Sequence, residues 1–270
     1  MSVRIVCLMT VVGFLAFLTP VKADEPLIVA HRGLLEHAPE NTLSNFRACL
    51  ELRLGFEFDV AVTEDGHLVC IHDDTVDRTT NGTGAVAEMA LEEIRNLDAG
   101  SWYDAGFAGE KVPTIDEVFS LVAEYRRHSV LIAADIKVAD AADDVARLAE
   151  RHGIQHRILY IGRTISDPQV RDMIKRVSPQ AHTAAVANNA DEFSGALTAS
   201  AADWVYFRYL PAQHEMDAVH EAGKHAFIAG DTVAGNHPGN WQRAAEVEMD
   251  GILTNYPMEL RRTVRRMRSR

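Results

Sequence analysis

Between Gly55 and Val60 apolar and acidic residues alternate strictly, with Phe56, Phe58 and Val60 on one side and Glu57 and Asp59 on the other. That is the two-residue period of a β-strand. A second apolar run, Leu68 to Ile71, follows Thr63-Glu64-Asp65-Gly66. Asp-Gly between apolar segments predicts a hairpin. With Thr63 paired to Gly66, the ladder sets Glu57 opposite His72 and Asp59 opposite Cys70. Two carboxylates on one face repel each other and are costly to bury unless water, a cation or basic side chains compensate. A histidine beside such a pair is the beginning of a metal-assisted acid–base site.

The rest of the chain is read from the same kind of pattern. A short apolar run at 27–30 predicts the first strand, ending at His31-Arg32-Gly33. Asn41 or Thr42 can cap a helix over 43–54, where Phe46, Leu50 and Leu54 recur at helical spacing. Residues 74–113 hold five glycines and one short helical stretch at 91–97, which predicts an insertion lying over one end of the domain. Thr114 can cap a helix to about 127. Strands are then expected at 130–137, 157–161, 181–186, 204–207, 225–228 and 251–253. Helices are expected at 141–152, 168–177, 190–199, 213–222 and 238–247. Strand–helix alternation over this length means an α/β fold with a mainly parallel sheet, and favours a (β/α)8 TIM barrel over an open doubly wound sheet. No Gly-x-Gly-x-x-Gly follows the first strand, which argues against a dinucleotide fold.

The first 23 residues read as a signal peptide. Arg4 gives the positive start, 5–18 is an apolar run broken only by Thr10 as a clearly polar residue, and Val21 and Ala23 place small residues before a cut after Ala23. The expected domain is therefore 24–270, in an exported, periplasmic or secreted protein, with no stable membrane span after cleavage. Loss of Arg4 and Lys22 with that segment takes the net charge from −12 to −14. Such an acidic protein is a poor partner for nucleic acid and is compatible with cations. Export permits a disulfide between Cys49 and Cys70, but their places on a helix and a core strand suit free buried thiols.

In a barrel, polar residues at strand ends converge on one mouth. His31-Arg32, Glu57 and Asp59, His72-Asp73 and Asp135-Ile136-Lys137 all stand at such ends. A lone histidine there is more commonly structural, and a lone Asp-x-Lys is more commonly a surface ion pair. Jointly they need a common purpose, because burying each alone is costly. Glu57, Asp59 and Asp135 form an all-oxygen set suited to a hard cation, Mg2+ or Ca2+. Arg32 and Lys137 add donors for a phosphate. His31 and His72 can serve as proton acceptor and donor. The chemistry this set suits is cleavage of a phosphodiester.

These stretches resemble a known family. His31-Arg32-Gly33, Pro39-Glu40-Asn41-Thr42, Glu57-Phe58-Asp59-Val60, Thr63-Glu64-Asp65-Gly66, His72-Asp73, Arg78 to Gly84, Val112-Pro113-Thr114 and Asp250 to Pro257 look like the glycerophosphodiester phosphodiesterase family, a barrel fold of the phospholipase C type. The resemblance is dense from 27 to 117 and thin afterwards. It implies hydrolysis of glycerophosphodiesters, small-molecule substrates, to glycerol 3-phosphate and an alcohol, with one divalent cation. His31 and His72 match its acid–base pair, and Glu57 and Asp59 match metal ligands. Asp135 stands where the family has glutamate. Near the strand at 225–228 the family's Trp-Thr pair is missing, and Asn255 replaces a common aspartate. Trp204, Tyr206, Arg208 and Tyr209 are candidates to shape the pocket instead, with barrel packing the plainer role for Trp204 and Tyr206.

Two other readings stay open. One is a related barrel acting on lipids, of the phospholipase D or sphingomyelinase D type, for which Trp102, Tyr103 and Phe107 offer an apolar rim. The other is a non-catalytic phosphodiester-binding protein, which the presence of both His31 and His72 disfavours.

Overall fold

Leu27–Ala30 form β1, and the chain then makes β2 (Gly55–Val62) and β3 (Leu68–Cys70) before six further strands. These are β4 (Ile132–Ile136), β5 (Ile158–Gly162), β6 (His182–Ala187), β7 (Trp204–Phe207), β8 (His225–Ile228) and β9 (Gly251–Thr254). In this computed structural model residues 25–269 are described, so the expected signal peptide at 1–23, with Cys7, lies outside the described residues. The sheet order is β1-β9-β8-β7-β6-β5-β4-β2-β3, and β1 also pairs with β2. Every neighbouring pair is parallel except β2 with β3. Eight strands therefore close into a parallel barrel with helices between them, and β3 is bonded outside it. The expected TIM barrel is the observed fold.

The alternation in β2 sorts its two faces. Phe56, Phe58 and Val60 point out to the helix layer, where Phe56 stacks on Phe46 of α1 (Leu43–Glu51) at 4.1 Å and 11°. Phe58 meets Phe119 edge to face at 5.8 Å. Each such fully buried ring contributes roughly 1.5–3 kcal/mol of apolar transfer. Glu57 and Asp59 are thereby turned toward the barrel interior, whose packed residues include Leu159, Ile161, Trp204, Tyr206 and Phe227. Cys49 and Cys70 are free buried thiols.

The hairpin register differs from expectation by one residue. Val60 faces Cys70 and Val62 faces Leu68, and the Thr63 N–H bonds to the His67 carbonyl. Gly66 takes φ 82, so the loop has three residues and a left-handed glycine, not the two-residue turn that Asp-Gly suggested. Asp59 is thus not opposite Cys70, nor Glu57 opposite His72. The free edge of β3 is covered by the 112–114 segment, through the Cys70 N–H to the Pro113 carbonyl and a bridge from Val69 to Thr114.

The insertion carries a small core of its own, with Val76, Val86, Ile94, Ala99 and Val112 packed on Val69 and Ile71. Its helix is α2 (Leu91–Asn96). Thr114 caps α3 (Ile115–Glu124), accepting from the Glu117 N–H while Glu117 bonds back. The α3 helix ends three residues before the expected 127. Thr42 precedes α1 without a side-chain cap bond. Two short helices were not expected, Arg163–Ser166 after β5 and Asp231–Ala234 after β8. No helix among the described residues is long and apolar enough to cross a membrane.

Candidate active site

Because the barrel strands run parallel, their C-terminal ends share one mouth; His31, Arg32, His72, Asp135 and Lys137 come from strand ends or the first residues beyond them, and Glu57 and Asp59 lie within β2 at the level where β1 and β4 end. Glu57 and Asp59 on β2 and Asp135 on β4 each offer a carboxylate oxygen, and these oxygens lie within 4.8 Å of one another. The pairing of Asp59 with Asp135 across β2 and β4 fixes that closeness in the backbone register. Gly162, next to Ile136 in the ladder, leaves room for the cluster: a Cβ there would collide with Asp135 Oδ1 and the Ile136 backbone, and its φ is +74.

The cluster is short of positive charge. Burial, then the charges of Asp59 and Asp135, push the Glu57 carboxyl well above its ordinary range. Burial and the Asp59 charge raise Asp135 to about 6. Such mutual repulsion is what a bound cation relieves. The donor set is all oxygen, so the residues fit a hard divalent ion.

Arg32 and Lys137 both reach the cluster, but as partners of its acids. Lys137 Nζ lies 3.1 Å from Asp59 Oδ1 and donates to the His72 carbonyl. The Arg32 backbone N–H donates to Glu57 Oε2 at 2.9 Å, and its Nη1 donates to Glu40 Oε1 at 3.2 Å. Arg32 Nε is buried 3.6 Å from Asp59 Oδ2 and makes no hydrogen bond among the described residues.

The two histidines are held differently. His31 Nδ1 bonds Asn255 Oδ1 at 2.7 Å, which leaves Nε2 3.9 Å from Glu57 Oε2. Burial and then the Arg32 charge lower the His31 pKa, against the opposing effect of the Asn255 bond. His72 Nδ1 bonds Asp73 Oδ1 at 2.7 Å. Hydrogen bonds from Arg78, then from His72, hold the Asp73 carboxyl well below the usual range. The His72 charge also acts on His31, so the rings share one electrostatic site.

Three residues of this site, Glu40, Asp73 and Arg78, carried no assigned role in the sequence, and a fourth, Asn41, carried a different one. Glu40, nine-tenths buried, bridges Arg32 to Arg78, with Arg78 donating to its two oxygens at 2.7 and 2.9 Å. Burial opposes its ionisation, but the Arg78 and Arg32 contacts win and lower its pKa. Arg78 in turn grips Asp73 at 2.7 and 3.0 Å. A continuous charged chain thus runs from Arg32 through Glu40, Arg78 and Asp73 to His72. Asn41, the proposed helix cap, instead donates from Nδ2 to Asp59 Oδ2 at 2.9 Å, from a left-handed backbone at φ 56. The signal for these residues was their presence in the motifs; their partners were not readable, being up to 38 residues away.

The class is thus a closed (β/α)8 barrel with three clustered carboxylates and two histidines at its mouth, an oxygen-rich set that fits a cation. Family comparison agrees with that class. The chain belongs to the glycerophosphoryl diester phosphodiesterase family, whose model matches residues 31–259. It is 54% identical over 99 residues to the glycerophosphodiester phosphodiesterase of Caldanaerobacter subterraneus subsp. tengcongensis, covering 36% of this chain and 41% of that protein. The chain thus spans less than half the length of that curated relative. The structure is similar to the crystal structure of glycerophosphodiester phosphodiesterase from Agrobacterium tumefaciens, with a TM-score of 0.73 at 28% identity, covering 87% of this chain and 98% of that one. It shares its fold with an Oleispira antarctica phosphodiesterase solved in complex with the product sn-glycerol-3-phosphate, with a TM-score of 0.73 at 20% identity, covering 89% and 97%.

Proposed function

We propose that this chain is an exported phosphodiesterase that hydrolyses glycerophosphodiesters to glycerol 3-phosphate and an alcohol. The carrying observation is the carboxylate cluster of Glu57, Asp59 and Asp135 with His31 Nε2 at its edge. Those three residues would hold one Mg2+ or Ca2+, which supplies charge neutralisation for the phosphoryl oxygens. Arg32 and Lys137 add positive charge on the same side and steer an anionic diester into place.

The partners of the two imidazoles divide the proton work. Asn255 Oδ1 accepts from Nδ1–H of His31, so Nε2 carries the lone pair and faces the cluster. Burial and then Arg32 outweigh the opposing Asn255 bond and favour uncharged His31, the form that accepts a proton from the attacking hydroxyl. His72 has an ionised carboxylate at Nδ1 instead. Asp73 thereby fixes the ring, which can give a proton to the departing alcohol from its other nitrogen.

The test is release of glycerol 3-phosphate from glycerophosphocholine with added Mg2+ or Ca2+ and with EDTA, beside a lysophospholipid of the same headgroup. Turnover of the soluble ester, abolished by EDTA and lowered about a hundredfold or more in His31→Ala and His72→Ala, supports the reading. Turnover of the lysophospholipid alone would assign the activity to lipids, for which the edge-to-face rings of Trp102, Tyr103 and Phe107 are the supporting feature. Binding without turnover would leave a phosphodiester-binding protein. Export is checked by N-terminal sequencing of the mature chain, expected to begin at Asp24.

A further inference from the structure

β7 lies across the barrel from the carboxylate cluster and sends Trp204 and Tyr206 to its inner face, with Arg208 two positions on at the mouth. Tyr206 is 7% exposed, and its ring lies 5.6 Å from that of Phe227. Packing accounts for the ring but not for the hydroxyl. Among the described residues the Tyr206 O–H has no hydrogen-bond partner, whereas nearby Tyr209 bonds Glu215 at 2.5 Å. Burial comes first in raising the Tyr206 phenol, and the charges of Asp135 and Glu57 raise it further, so the hydroxyl lies within electrostatic reach of the cluster. The ring is buried, but the hydroxyl oxygen stays accessible from the barrel interior, with a donor free for a ligand. An ester oxygen lodged against the cluster would accept from it.

Arg208 is the exposed cation of this wall. Its Nη1 donates to Asn188 Oδ1 at 3.2 Å, and its charge reaches the Tyr206 hydroxyl. Glu192, held by Asn188 at 2.6 and 3.0 Å, and Arg208 interact by charge. No carboxylate pairs with Arg208 within 4.0 Å among the described residues. The cations nearest the cluster are engaged, Arg32 and Arg78 with Glu40 and Lys137 with Asp59. β8 is followed by Ala229 and Gly230, which offer no aromatic face to a cationic headgroup.

We propose that Tyr206 and Arg208 form the alcohol side of the substrate site and select phosphodiesters whose alcohol bears an anionic group. This rests on the phosphodiesterase reading above. Arg208 pairs with the anion, and Tyr206 donates to an ester oxygen and fixes its position.

Glycerophosphoserine and glycerophosphoethanolamine differ only by a carboxylate, so kcat and KM for both isolate the preference. With Mg2+ present, the unaltered chain is expected to favour the serine ester about tenfold in kcat/KM. Arg208→Gln brings that ratio close to one, mainly through KM for the serine ester. Tyr206→Phe keeps the ring and lowers kcat/KM about tenfold for both esters, with Tm and calorimetric Mg2+ binding preserved. Equal or reversed preference in the unaltered chain, an unchanged ratio in Arg208→Gln, or unaltered kinetics in Tyr206→Phe would overturn the proposal. Turnover of neither ester would overturn the phosphodiesterase reading itself; turnover without preference overturns only this inference.

Discussion

His31 Nδ1 and Asn255 Oδ1 stand 2.7 Å apart and tie the end of β1 to the end of β9. The bond sets both the tilt of the imidazole and which nitrogen looks into the barrel. Asn255→Asp would place an anion at Nδ1 and raise the His31 pKa. A proton acceptor must be uncharged, so the rise of kcat/KM with pH should move to higher pH, by about one unit. Asn255→Ala removes a bond that raises the His31 pKa, so it should move that rise to lower pH and lower kcat/KM roughly tenfold or more by loosening the ring. A full pH–rate profile of both variants separates the two effects.

Glu40 holds two arginines that would otherwise repel each other. Glu40→Gln keeps the shape and removes the charge. It should cost about 1–3 kcal/mol of stability, and it should free Arg78 to pull Asp73 off His72. Thermal denaturation reads the first effect. A drop in kcat with little change in KM reads the second.

The carboxylate cluster makes stability depend on pH and on metal together. Asp135 titrates from an ordinary 3.8 up to about 6 in the folded chain, so the folded state holds its proton more tightly than the unfolded one. Its contribution to metal-free stability is full below pH 3.8 and is lost as pH rises through about 6. A dication needs the deprotonated form. The Tm gain from Mg2+ or Ca2+ should therefore be larger at neutral pH than near pH 5, as scanning calorimetry at the two pH values would show. Asp135→Asn should shrink the gain at neutral pH.

Gly162 is the neighbour that makes room for Asp135. Gly162→Ala combines a positive φ with a collision against the carboxylate and the Ile136 backbone. It should destabilise the fold by roughly 1–3 kcal/mol and weaken cation binding, because Asp135 must swing away. Calorimetric metal titration tells that displacement apart from simple destabilisation.

The barrel was readable because its signals are local. Alternation in β2 put Glu57 and Asp59 on one face, and apolar runs separated by helical spacing marked the other strands. The hairpin register was misread because Gly66 adds a left-handed residue that a two-letter turn motif does not reveal. Asn41 looked like a helix cap because caps are recognised from neighbours, while its actual partner, Asp59, lies 18 residues on. The chain from Glu40 through Arg78 to Asp73 was hidden for the same reason. The helices at 163–166 and 231–234 span about one turn each, too short for a period to show.

β3 is bonded outside the closed ring of strands, and His72 follows it after Ile71. His31, by contrast, belongs to the barrel wall. One jaw of this clamp is therefore cast in the frame, and the other hangs on a bracket whose set depends on the small apolar core of Val76, Val86, Ile94, Ala99 and Val112. Strand number and tilt do not dictate the opening between the jaws. Repacking that core would reset the gap for a bulkier ester while all eight staves stayed where they are.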